Sequence, residues 1–207
     1  MKVKICGMTN ASDALFCAGQ GADELGFIFY DRSPRYIAPE AAAEIIAGLP
    51  PYVTPVGVFV NETRGRIEQA IALSGIRSLQ LSGDESAADC AGFGLPVIKA
   101  FRFKDPSETL RAREYAIAAA MLDGQRDGLF GGSGVMADTT VALALKTFHP
   151  LYLAGGLTPD TVVRAARSVL PFAVDVNSGV ELSPGVKDHA RVALLFERLR
   201  HHHDSLH

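Results

Sequence analysis

Eight short apolar runs punctuate the chain, and between most of them the apolar positions change to a helical spacing. The runs are Val3–Cys6, Leu25–Phe29, Val56–Val60, Ser78–Leu81, Val97–Phe101, Ala118–Asp123, Leu151–Ala154 and Ala173–Val176. Near-continuous apolar runs of this length read as strands buried on both faces. The sixth run is alanine-rich and departs most from strand composition. Helical patterns fall at Asn10–Gly19, Pro39–Leu49, Thr63–Ser74, Asp138–Thr147, Pro159–Leu170 and Asp188–Arg200. Asn10 suits an N-cap, Gly19 a helix end and Pro39 a first turn. Strand and helix alternate along the whole chain, which predicts an α/β fold with a parallel sheet under covering helices.

Eight units in 207 residues leave about 26 residues each, enough for one strand, one helix and two short loops. Eight units favour a closed (β/α)8 TIM barrel, here a small one with short loops, since such barrels usually run to about 250 residues. No linker or second domain is visible. The expected organisation is one barrel domain over 1–200 and a frayed tail over 201–207 that carries His201, His202 and His203.

Composition narrows the class. With 48% hydrophobic residues, 21% charged residues and a net charge of −3, the chain reads as soluble and globular. Nothing suggests a nucleic-acid or membrane partner, and no apolar run reaches the roughly 18 residues of a membrane span. The N-terminal Met1-Lys2-Val3-Lys4 lacks the apolar core of a signal peptide. Three irregularly spaced cysteines make no disulfide framework, so a reducing cytoplasm is expected. No phosphate-binding P-loop, dinucleotide fingerprint or metal-ligand cluster is found, so neither a metal nor another cofactor is expected.

In a barrel the chemistry sits at the C-terminal ends of the strands. Those ends carry Cys6, the stretch Tyr30–Arg35, Asn61, Ser82, Arg102, Asp123, Gly155-Gly156 and Asn177-Ser178-Gly179. The two glycine turns after strands 7 and 8 are either tight turns or a phosphate cradle of backbone N–H groups. Cys6 is either a small buried hydrophobe or, if nearby cations lower its pKa, a thiolate base or nucleophile. Asp123 could cap the turn at Gly124 or act as a general acid with a raised pKa. Asp175 could point into the site or outward. Arg35 could clamp an anion through its guanidinium fork or lie in solvent. Gly131-Gly132-Ser133-Gly134 is either a linker or a loop that closes over an anion.

Ten segments in order resemble the phosphoribosylanthranilate isomerase family. They are Lys4–Thr9, Gly26–Phe29, Ser33–Ile37, Val58–Glu62, Leu79–Leu81, Ile98–Arg102, Leu122-Asp123, Gly131–Gly134, Leu153–Leu157 and Asp175–Glu181. The resemblance implies a cofactor-free barrel isomerase that performs an Amadori rearrangement of a small sugar phosphate in tryptophan biosynthesis. It puts the general base on Cys6, the general acid on Asp123 and the anthranilate contact on Arg35. It assigns the remaining substrate contacts, the phosphate above all, to Gly155, Gly156, Asp175, Asn177, Ser178 and Gly179. The expected assembly is a monomer or a dimer.

The chain departs from the family pattern in places. Many members have histidine after the Gln-Leu pair of strand 4, where this chain has Ser82. Gly131–Gly134 reads Gly-Gly-Ser-Gly rather than Gly-Gly-Thr-Gly, and Met136-Ala137-Asp138 stands where Phe-Asp-Trp is common. Two other readings stay open at this point: another sugar-phosphate isomerase or epimerase, and a barrel that only binds its ligand.

Overall fold

In the computed structural model, residues 1–124 and 138–204 are described. The expected glycine loop at 131–134, the variable stretch 125–130 and Met136-Ala137 lie outside the described residues.

Eight parallel strands close into one barrel in sequence order: β1 (Lys2–Cys6), β2 (Glu24–Ile28), β3 (Thr54–Phe59), β4 (Ser78–Leu81), β5 (Val97–Phe101), β6 (Ala119–Leu122), β7 (Leu151–Leu153) and β8 (Ala173–Val176). Closure is made by β1 on β8, with Lys4 in register with Asp175. Every predicted strand is present, the alanine-rich β6 included, with ends shifted by no more than two residues.

All six predicted helices form: α1 (Ala11–Gln20), α2 (Pro39–Ala47), α3 (Arg64–Ser74), α4 (Thr139–Leu145), α5 (Val162–Val169) and α6 (His189–Asp204). The Asn10 side chain caps α1 by accepting from the Asp13 N–H at 2.9 Å. That helix runs through the expected stop at Gly19 and ends at Gly21. Helix α5 starts at Val162, three residues after the expected Pro159. No helix lies between β4 and β5, where Gly83, Gly92, Gly94 and Pro96 break any helical run. After β5 the chain makes a 3₁₀ helix, Pro106–Glu114.

Two further features differ from expectation. Helix α6 continues to Asp204, so the first four residues of the expected tail are helical; residues 205–207 lie outside the described ones. A short antiparallel hairpin, β9 (Glu181–Ser183) and β10 (Val186–Lys187), follows β8. The Pro184-Gly185 pair between two short runs was its signal in the sequence.

The strands alternate between two environments. Val3 and Ile5 of β1 and Val174 and Val176 of β8 face outward into the main core beneath the helices. A period of two then sends Lys4, Cys6 and Asp175 inward. The barrel interior holds a smaller apolar cluster of Val56, Ile98, Ala100, Ala119, Met121, Tyr152, Ala154 and Ala173. Alanine at four of these positions leaves room for buried polar side chains beside them. Among the described residues, no helix is long and apolar enough to cross a membrane.

Candidate active site

A cleft of about 770 Å³, its open mouth included, sits at the C-terminal end of the barrel. Its wall includes Cys6, Arg35, Gln80, Ser82, Asp123, Gly155, Gly156, Asp175, Asn177 and Ser178, so the predicted site residues other than Gly179 meet at one place.

Cys6 is buried at the end of β1. Two buried cations serve it. Lys4, one step below on the same inward face, shares with the Cys6 Sγ the space left by Gly26. A Cβ at Gly26 would lie 2.6 Å from Sγ and 3.2 Å from the Lys4 Nζ. Lys4 is itself held by Asp175, Nζ to Oδ1 2.8 Å. Burial is the largest influence and works against the Lys4 charge, but Asp175, Cys6 and Glu24 together outweigh it and keep the ammonium protonated. Lys187 of β10 donates to the Cys6 carbonyl at 2.6 Å.

The thiolate reading of Cys6 required nearby cations to pull its pKa down. In the structure the balance runs the other way. Burial pushes the thiol up; Lys4 and Lys187 oppose it, and Asp175 adds to it. The cations that favour the thiolate are lysines, and only the fold brings Lys187 there. Asp175, ambiguous in sequence, points inward, and its flanking outward valines were the signal that could have settled it.

Asp123 follows β6 and has its carboxyl pushed up to about 6. Burial is the main cause and the Asp175 charge the next, while Arg102 and Lys4 pull the other way. A carboxyl so placed can hold a proton near neutral pH and release it to a substrate atom. A hydrogen bond from the Gly124 N–H also reaches it, so the turn contact and the raised pKa coexist.

Arg35 lines the cleft, but its fork already has a carboxylate. Nε lies 3.0 Å from both Glu181 oxygens and Nη2 is 2.7 Å from Oε2. Nη1 takes no part in that pairing. Glu181 also accepts from the Lys187 Nζ at 2.8 Å. Burial works against its charge, but Arg35 and Lys187 hold its carboxyl below the usual range. Lys187 completes the set with Asn177 Oδ1 at 3.1 Å. One buried lysine thus ties the loops after β1 and β8 to the hairpin, and through Glu181 to Arg35. Sequence reasoning missed Glu181 and Lys187 as site residues because the hairpin that carries them was not foreseen.

The turns after β7 and β8 fit against each other. Gly155 and Gly156 have φ of 85° and 60°, a left-handed conformation that glycine adopts without strain. A Cβ at Gly179 would lie 1.9 Å from the Leu157 carbonyl oxygen, so only glycine lets the two loops touch. Gly179 is therefore behind the cleft wall rather than in it. Ser178 opens the short 3₁₀ turn Ser178–Val180, so its N–H has no partner within that turn.

On the β4 side, the Gln80 Nε2 donates to the Ser82 Oγ at 3.0 Å, and the Arg102 Nη2 donates to the Ser82 carbonyl at 3.0 Å. Beneath them Glu85 is a hub. Its Oε2 meets the buried Lys99 ammonium at 2.7 Å, and its Oε1 accepts from the N–H groups of Asn61 and Gly83.

A closed parallel barrel with polar side chains gathered at the C-terminal mouth of its strands defines a (β/α)8-barrel enzyme. The family model described as N-(5'phosphoribosyl)anthranilate (PRA) isomerase matches residues 3–198, and the chain belongs to that family. The chain is 46% identical over 200 residues to the N-(5'-phosphoribosyl)anthranilate isomerase of Geobacter sulfurreducens, with 97% of this chain and 98% of that protein covered. The phosphoribosyl anthranilate isomerase of Thermus thermophilus superposes with a TM-score of 0.89 at 36% identity, covering 100% of both chains. A phosphoribosyl anthranilate isomerase solved with reduced 1-(o-carboxyphenylamino)-1-deoxyribulose 5-phosphate superposes at 0.85 and 39% identity, covering 97% of this chain and 99% of that one.

Proposed function

We propose that this mouth converts N-(5-phosphoribosyl)anthranilate to 1-(2-carboxyphenylamino)-1-deoxyribulose 5-phosphate, an Amadori rearrangement in tryptophan biosynthesis. Asp123 protonates the furanose ring oxygen, and the ring opens to an iminium at C1′. Cys6, as thiolate, removes the C2′ proton, whose bonding electrons flow to nitrogen and leave an enolamine. The enolamine then ketonises to the product. Each step is a proton transfer by a positioned acid or base. The observation that carries this reading is the pairing, at one cleft, of a carboxyl raised to about 6 with a thiol backed by two buried ammonium groups.

Arg35, oriented by Glu181, is assigned to the anthranilate carboxylate through the rest of its guanidinium. The phosphate is assigned to the turns at Gly155-Gly156 and Asn177-Ser178, with Gly179 keeping the two turns in contact. Asp175 acts on the substrate indirectly, by holding Lys4 beside Cys6. The three described cysteines are free and buried, which supports a reducing cytoplasm. The expected assembly is a monomer or a dimer, and sedimentation would measure it.

The test of function is the loss of phosphoribosylanthranilate fluorescence, with the substrate made in situ. Absence of turnover by the purified chain would sink the reading. The phosphate assignment has its own test. Inorganic phosphate and sulfate are expected to inhibit competitively, and a crystal soaked in sulfate is expected to show an anion at Gly156 and Ser178. An anion at Arg35 alone would refute that assignment.

A further inference from the structure

We infer that Gln80 is a substrate-positioning residue whose side-chain carbonyl accepts a hydrogen bond from an N–H or O–H of the bound aminosugar. The inference rests on the functional reading above and adds a contact to it. Gln80 lies on the inward face of β4, is only 5% exposed and lines the cleft. Its Nε2 is engaged by Ser82. Its Oε1 is buried, and no protein group among the described residues donates to it.

A buried carbonyl without a donor weakens the unliganded fold, and such groups are rare enough in folded proteins to need a reason. A ligand donor supplies one. The proposed substrate has suitable groups between its two anchored ends: the amine that joins ring to sugar, and the ribose hydroxyls. β4 lies across the closed barrel from β8, so Gln80 approaches the sugar from the side opposite Asp175 and the phosphate turns. The serine at position 82 acquires a role here as well. Its hydroxyl holds the amide nitrogen and so leaves the carbonyl oxygen for the ligand.

A purely structural glutamine and a ligand-binding one differ in what an apolar replacement does. Met and Leu remove the unpaired oxygen, and Ser82, partly exposed, can turn its hydroxyl to water. Gln80→Met and Gln80→Leu are therefore expected to melt no lower than wild type without ligand. Their affinity for reduced 1-(o-carboxyphenylamino)-1-deoxyribulose 5-phosphate is expected to fall by about tenfold to a hundredfold, the worth of one buried hydrogen bond. Ribulose 5-phosphate has O–H donors and no N–H. A loss of affinity for it too would identify a hydroxyl as the donor, and a loss confined to the aminosugar would identify the amine.

Two variants of different shape separate loss of the acceptor from a packing fault. Unchanged affinity in both would overturn the inference. So would a drop in melting temperature with normal affinity per folded molecule. If wild type itself failed to bind the reduced product, the functional reading would fall first and this inference with it.

Discussion

Cys6→Ala is expected to lower kcat by about 10² to 10⁴, the usual contribution of a positioned acid or base, with little change in KM. Alanine keeps the Cβ and removes only the sulfur at the cleft wall, so folding should survive. The measurement is steady-state turnover on phosphoribosylanthranilate; near-normal kcat would remove Cys6 from the chemistry. The environment makes the expectation specific. Burial raises the thiol above its ordinary value near 8.5, while Asp123 sits at about 6. Between those values the resting enzyme holds a thiol and a carboxylate, the opposite of the working thiolate and carboxylic acid. The working pair is a small, pH-independent fraction across that range. Lys4 and Lys187 matter because they enlarge it.

Asp123→Asn is expected to cost about 10² or more in turnover, since the amide keeps the shape but has no proton to give. The pH profile distinguishes this from a structural defect. In wild type, kcat/KM should rise to about pH 6, hold level, and fall above the Cys6 pKa. The acidic limb belongs to the acid and the alkaline limb to the base, because their pKa values are inverted relative to the working state. The residual activity of Asp123→Asn should lack the limb near 6 and climb with pH until Cys6 is ionised. A retained limb near 6 would mean that another group titrates there.

Stability should move in the opposite direction. The folded-state pKa of Asp123 is raised, so the folded protein binds this proton more tightly than the unfolded chain does. Its contribution to stability is complete below about pH 4 and is lost as pH rises through about 6. Asp123→Asn escapes that loss. Above pH 6 it should be the more stable protein, by on the order of 1–2 kcal/mol after allowance for partial exposure. Urea unfolding of both proteins at pH 4 and pH 8 measures it. Equal stabilities at pH 8 would show that Asp123 is not strained by burial.

Local pattern determined most of the architecture. Each strand is an apolar run and each helix an amphipathic one, and both are properties of neighbours in sequence, so eight strands and six helices could be read directly. Barrel position then told which residues end a strand, and Cys6, Arg35, Asp123 and the glycine turns followed. Their resemblance to a family supplied roles that spacing alone left open. The electrostatics did not follow. The direction of the Cys6 shift depends on how deeply the thiol is buried and on two ammonium groups. One of these, Lys187, lies 181 residues further along the chain and arrives on an unforeseen hairpin. The Arg35 fork was legible as a motif, but its partner Glu181 was not, because the two are 146 residues apart and meet only after closure. Charge interactions fall off with distance in space and depend on local burial, and a linear chain specifies neither. Sequence therefore determined which groups line the mouth. The closed barrel decided which of them are paired, which are charged, and that one carbonyl, on Gln80, is left without a donor among the described residues.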